Sequence, residues 1–187
     1  MNHFSYSAIG PGPGREWCPP DPVRAEPGRW PELEAALAVV NRDVRATLPG
    51  QEPLVLMSVP SDEPPSSAST GGEQVYVAMP DGSWQGNPVN PWELDDGYPP
   101  EPDDPDTFLA VVAETAQETV MELLWRVWPV CPAHGTGMHT YPPESAGGER
   151  PDEADLSGPP AWWCGGGRDG GWHEVARVGE LAATVSA

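Results

Sequence analysis

Two Cys/His pairs constrain this chain more than any other feature of its sequence. Cys131 and His134 lie in a Cys-Pro-Ala-His-Gly run, and Cys164 follows two tryptophans and precedes His173. Two thiolates and two imidazoles form a ligand set that Zn²⁺ prefers in a tetrahedral site. Such a site forces segments that are far apart in sequence to meet. We therefore predict that Cys131, His134, Cys164 and His173 bind one zinc ion.

The residues around the first pair are typical of a tight turn. Pro132 fixes its own φ angle, and Gly135 permits a left-handed conformation, so both ligand side chains can turn towards one point. The second pair encloses residues 165–171, which are too rich in glycine for a helix or a regular strand. We predict that this segment is a hairpin loop between two strands, residues 161–164 and 173–178.

The fourth ligand is open to one alternative. His139 follows the first pair closely and is a possible replacement for His173. We favour His173, because it lies on the predicted strand that returns past Cys164. Two interpretations without a metal also compete, a disulfide between Cys131 and Cys164 and two inert buried thiols.

A resemblance supports the zinc interpretation. The runs Trp-Pro-Val-Cys-Pro-Ala-His-Gly at 128–135, Trp-Trp-Cys at 162–164 and His-Glu-Val-Ala-Arg-Val-Gly-Glu-Leu at 173–181 resemble small uncharacterised actinobacterial proteins with a C-terminal zinc-ribbon-like module. The resemblance covers about the last third of the chain. It implies a metal-binding module and says nothing about a substrate.

The charge of the chain bears on its partners. Nine arginines and no lysine stand against 29 acidic residues, so the formal net charge is −20. Such a chain repels phosphate backbones, which disfavours nucleic-acid binding and favours a basic protein partner. Residues 1–14 show no signal peptide, and no apolar run is long enough to span a membrane. We therefore expect a cytoplasmic protein.

Catalytic motifs are missing from the sequence. HExxH, a P-loop, a GxSxG elbow and a deaminase His-x-Glu are all absent, so we assign no catalytic residue. An open zinc site formed by three ligands and a water, with His139 or Glu174 as base, would instead make the chain a zinc-dependent hydrolase. Our expectation is a zinc-stabilised protein-interaction or regulatory module, and the hydrolase is the alternative.

Composition divides the chain into three parts. The 26 prolines and 21 glycines make up about a quarter of its residues, a level that predicts long irregular stretches. We expect a disordered N-terminal arm at 1–29, an α+β domain at 30–128 and a zinc-binding module at 129–187 with a long loop at 140–160.

Periodicity predicts the elements of the α+β domain. Apolar residues three and four apart predict helices at 31–48 and 105–127, the second capped by Asp104. Alternation predicts strands at 54–59 and 74–79, followed after a turn by a shorter strand at 83–86. Two helices packed on a small antiparallel sheet, followed by a zinc-ribbon-like module, are the expected fold.

Three glutamates share the exposed face of the second predicted helix. Glu114, Glu118 and Glu122 follow one another at intervals of four residues, and like charges at this spacing destabilise a helix. A basic partner would relieve the repulsion. The alternative interpretation is an ordinary solvated face.

Overall fold

The computed structural model describes residues 22–60, 73–93, 102–141, 158–166 and 171–182. Its elements form an α+β fold with two helices and two antiparallel three-stranded sheets, as the class prediction states. In chain order they are β1 (Val23–Arg24), α1 (Pro31–Thr47), β2 (Val55–Val59), β3 (Gln74–Ala78), α2 (Pro105–Leu124), β4 (Met138–His139), β5 (Ala161–Cys164) and β6 (His173–Arg177).

The first sheet has the order β1-β2-β3, and this corrects one prediction. The segment 83–86 makes a single bridge, between Trp84 and Ala78, and is not a strand. The hydroxyl of Thr119 lies 3.0 Å from the carbonyl oxygens of Val77 and Gln85, so a side chain of α2 takes the place of ladder hydrogen bonds there.

The third strand of this sheet comes instead from the segment before α1. β1 pairs with the other edge of β2, with Val23 opposite Ser58. Residues 22–29 therefore contain an ordered strand, although we predicted disorder throughout residues 1–29. Residues 1–21, most of the predicted loop at 140–160 and residues 167–170 of the predicted hairpin loop lie outside the described residues, as do residues 94–101 before α2.

Both helices begin as predicted and pack against each other. Pro31 and Pro105 occupy their first positions, and Asp104 caps α2 by accepting a hydrogen bond from the backbone N–H of Asp106. The apolar stripe whose spacing predicts α1 is buried in full: Leu33, Leu37, Val40, Val44 and the C-cap residue Leu48. These residues share one core with Leu56 and Val77 of the first sheet.

The end of α2 differs from the prediction. The helix stops at Leu124, three residues before the predicted Val127, because Trp125 turns the chain with a left-handed φ of 50°. The turn places Trp128 in the core at 1% exposure and leaves Val127 at 50%. Val127, the last residue of the predicted helix, is therefore exposed. The bond between Trp128 and Pro129 is cis.

A buried carboxylate joins α1 to the C-terminal part of the chain. Asp43 is fully buried and accepts hydrogen bonds from the indole N–H of Trp162 at 2.7 Å and from the backbone N–H groups of Gly179 at 2.6 Å and Leu181 at 2.8 Å. Burial raises the pKa of the Asp43 carboxyl, and the three donors act in the opposite direction. The three hydrogen bonds fix β5 and the segment after β6 against the helix.

No helix in the part of the chain that the structure describes has both the length and the apolar content needed to cross a bilayer.

Candidate metal centre

The first Cys/His pair lies in a tight loop closed by backbone hydrogen bonds. The N–H of Cys131 donates to the carbonyl of Thr136, and the N–H of Gly135 donates to the carbonyl of Cys131, both at 2.8 Å. Gly135 has a φ of 67°, the left-handed conformation expected from the sequence. A bridge between Val130 and Gly137 closes the base of the loop. We call residues 131–136 the knuckle.

The second pair lies on neighbouring strands, and a β-bulge sets its register. Ala161 pairs with Arg177 and Trp162 with Ala176, but Trp163 then pairs with Glu174, which leaves Val175 as the extra residue. Without this shift Glu174 would lie opposite Cys164. With it, His173 lies opposite Cys164, and directly paired residues of antiparallel strands project from the same face. The bulge therefore brings the second histidine to the second thiol.

The four predicted ligands meet at one point. Their ligand atoms all lie within 4.8 Å of one another. The sulfur atoms of Cys131 and Cys164 are each 3.5 Å from Nδ1 of His134, and the ring centroids of His134 and His173 are 5.1 Å apart. These four side chains are close enough to hold one metal ion.

Burial differs between the two kinds of ligand. Both thiols are buried, whereas His134 is exposed and His173 is partly buried. A metal held here would have its sulfur ligands against the core and its imidazole ligands towards solvent. Cys131 and Cys164 are free thiols, so the structure does not contain the alternative disulfide between them.

Polar neighbours favour the thiolate form of Cys164. Burial by itself would raise the pKa of this thiol, but hydrogen bonds from the Thr136 hydroxyl at 3.3 Å, the Gly166 N–H at 3.4 Å and the side chain of Cys131 outweigh it and lower the pKa. The thiolate is the form that binds a metal.

His139 lies apart from the four-residue cluster. It pairs with Trp163 in β4 and β5, whereas Cys164 pairs with Met138, so His139 projects from the other face of this sheet. Its ring contacts Trp172, with centroids 6.0 Å apart. Glu174 also pairs with Trp163, and its carboxylate lies 3.1 Å from the Arg177 guanidinium. Neither of the two bases considered for a hydrolase belongs to the cluster.

Sequence reasoning missed Asp43, whose hydrogen bond from Trp162 holds β5, the strand that carries Cys164, against α1. It precedes Val44 in the middle of an amphipathic helix, where an acidic residue is usually solvated. Its donors come from residues more than a hundred positions later, so no local pattern could identify it.

Comparison of the chain with protein-family models, curated proteins and solved structures finds no match.

Proposed function

We propose that Cys131, His134, Cys164 and His173 bind Zn²⁺ in a closed structural site, and that the protein thus stabilised acts by binding a protein partner. The distances among the ligands carry the metal part of this proposal. With Zn–S bonds of about 2.3 Å and Zn–N bonds of about 2.0–2.1 Å, tetrahedral geometry separates a sulfur from a nitrogen ligand by about 3.6 Å. Both Sγ–Nδ1 distances at His134 are 3.5 Å.

The ligand types support zinc over other divalent ions. Thiolates exclude the hard cations Mg²⁺ and Ca²⁺, which bind oxygen, and two thiolates with two imidazoles in a tetrahedron are typical of zinc. Four protein ligands also support a structural role, because a catalytic zinc retains an open position for water. Binding to a partner, rather than catalytic turnover, is the role consistent with such a closed site.

Metal analysis of the purified chain tests the proposal. We expect about one zinc per chain in the wild type, as a four-ligand site binds a single ion. Cys131→Ser and His173→Ala should lose most of the metal, whereas His139→Ala, the matched control, should keep it. A wild type that binds no zinc, or a His139→Ala variant that loses as much metal as His173→Ala, would contradict the assignment.

Cobalt substitution separates the structural site from the hydrolase alternative. Co²⁺ in a tetrahedral site with two thiolates gives strong visible bands and thiolate-to-metal charge-transfer absorption. Azide replaces a metal-bound water but not a protein side chain. We expect the spectrum to remain unchanged when azide is added; a shift would support an open site and the hydrolase.

A further inference from the structure

Exposed apolar side chains concentrate where α2 leads into the knuckle. Among the residues that the structure describes, six large apolar side chains are exposed, and four of them fall within positions 121–130: Met121 at 37%, Trp125 at 88%, Val127 at 50% and Val130 at 44%. Clusters of exposed apolar residues mark interaction surfaces more often than single ones do. Trp125 is also in a left-handed conformation that bulky residues rarely adopt.

A groove lies beside these residues. It has a volume of about 650 Å³, within the range of ligand-binding pockets. Met121 and Val127 line it together with Gly137 and His139, so one wall belongs to α2 and the other to the segment that follows the knuckle. We call this the α2 groove.

Three carboxylates run along the α2 wall of this groove. Glu114, Glu118 and Glu122 all line it and all are exposed. Four residues of helix rise by about 6 Å, so the row extends for about 12 Å. Although Glu118 is exposed, partial desolvation in the groove and the charges of Glu114 and Glu122 raise the pKa of its carboxyl.

The negative charge of the groove indicates which kind of molecule could bind in it. A second copy of the chain has a net charge of −20 and would be repelled. The parts of the chain outside the described residues are also unsuitable, because none has more arginines than carboxylates. The segment 142–157, for example, has five carboxylates and one arginine. Charge complementarity therefore favours a basic occupant from another molecule.

We propose that the α2 groove binds a basic amphipathic helix of a partner protein. Arg or Lys side chains four residues apart on that helix would pair with Glu114, Glu118 and Glu122, and its apolar side chains would contact Met121, Trp125 and Val127. This inference rests on the interaction role proposed above and gives that role a surface and a partner chemistry.

Binding of synthetic peptides, followed by fluorescence anisotropy, tests the inference. The probe is an amphipathic peptide with Arg at every fourth position and Leu on the same face; the comparison peptides replace Leu by Ser or Arg by Glu. Glu114→Gln/Glu118→Gln/Glu122→Gln should weaken binding of the probe about tenfold, the sum of three exposed ion pairs. The control Glu26→Gln/Glu32→Gln/Glu52→Gln removes three exposed charges elsewhere and should have little effect.

A second pair of variants tests the contribution of the exposed apolar side chains to binding of the probe. Trp125→Asn should weaken binding of the probe. The variant should still fold, because Asn tolerates the left-handed backbone conformation of this position. The control is Val23→Ser, which changes an exposed apolar residue on β1. The inference would be overturned if the two triple Glu→Gln variants weakened binding of the probe equally. It would also be overturned if the wild type bound the Ser peptide as tightly as the probe. Dimerisation of the wild type that Trp125→Asn abolishes would assign the surface to a second copy and also overturn it.

Metal content measured on the same samples separates this inference from the zinc proposal. The two triple Glu→Gln variants change no proposed metal ligand and should keep their zinc. A chain that binds the probe through the groove but holds no metal would refute the zinc site alone, and a zinc-loaded chain that does not bind the probe would refute the groove alone.

Discussion

At the scale of the residue, Asp43 and Gln117 connect the helices to the segments that carry the candidate metal ligands. Asp43 receives three donors from β5 and from the segment after β6. Gln117 of α2 donates from its side-chain amide to the carbonyls of Trp128 and Met138, at 3.0 and 2.5 Å. Residues on both sides of the knuckle are thus attached to α2, and β5 is attached to α1, by hydrogen bonds that do not involve a metal.

Asp43→Asn should destabilise the protein strongly. Oδ2 accepts from Trp162 and Gly179, and Oδ1 accepts from Leu181, so an amide group at this position must direct an N–H towards another N–H. A buried donor left without a partner costs about 1–3 kcal/mol, and we expect a loss of about 3 kcal/mol in the free energy of unfolding. Urea denaturation measures it. Asp103→Asn, at an exposed site, should stay within about 0.5 kcal/mol of the wild type; equal stability of the two variants would refute this role of Asp43.

At the scale of the element, features that depend on local sequence were predictable and features set by distant residues were not. The α1 stripe and the Asp104 cap follow from spacing and side-chain type within one segment. The bulge at Val175 was missed, because the register of β6 depends on β5 and not on its own sequence. The candidate site was found because Cys and His are rare and chemically specific, although only the bulge explains why His173 and not Glu174 lies opposite Cys164.

The same contrast applies at the ends of α2. Asp104 and Pro105 are local sequence signals that predict the beginning of α2. Its end at Leu124 depends instead on the burial of Trp128, whose ring packs against the ring of Trp162 with a centroid distance of 5.5 Å. Apolar periodicity alone could not distinguish Val127 from Trp128 as the core residue.

Glu118→Gln should stabilise the protein in a way that depends on pH. Burial and the charges of Glu114 and Glu122 raise the pKa of Glu118 above 4.5, so its ionised form is less favourable in the folded chain than in the unfolded one. This cost is complete at neutral pH and disappears as the pH falls through the folded-state pKa. Removing two like-charge pairs gives a gain of about 0.5–1 kcal/mol at pH 7.

Urea denaturation of Glu118→Gln and the wild type at a series of pH values measures this gain. The difference between the two proteins should shrink as the pH falls, and any loss of metal at low pH affects both proteins alike. The matched variant Glu32→Gln removes an exposed carboxylate outside the row and should show no such trend. A gain that stays constant with pH would contradict the electrostatic explanation.

At the scale of the whole molecule, one core extends across the boundary that we expected at residue 129. Residues on the C-terminal side share a single buried cluster with residues of α1, α2 and the first sheet: Cys131, Met138, Trp162, Cys164 and Val178. Both proposed sulfur ligands belong to that cluster. Loss of a metal at this site would therefore free two buried thiols within the common core.

Removal of the metal by a chelator should consequently lower the stability of the entire chain in one step. An ion present at about a thousand times its dissociation constant stabilises the folded state by about 4 kcal/mol, so we expect the melting temperature to fall by about 10 °C. Differential scanning calorimetry should show a single transition before and after chelation, because the helices and the segments that carry the proposed ligands share one buried core. Near-UV circular dichroism of the tryptophans and far-UV circular dichroism of the helices should change at the same temperature. Two separate transitions, with the helices melting at an unchanged temperature, would show that the segments carrying the proposed ligands fold independently.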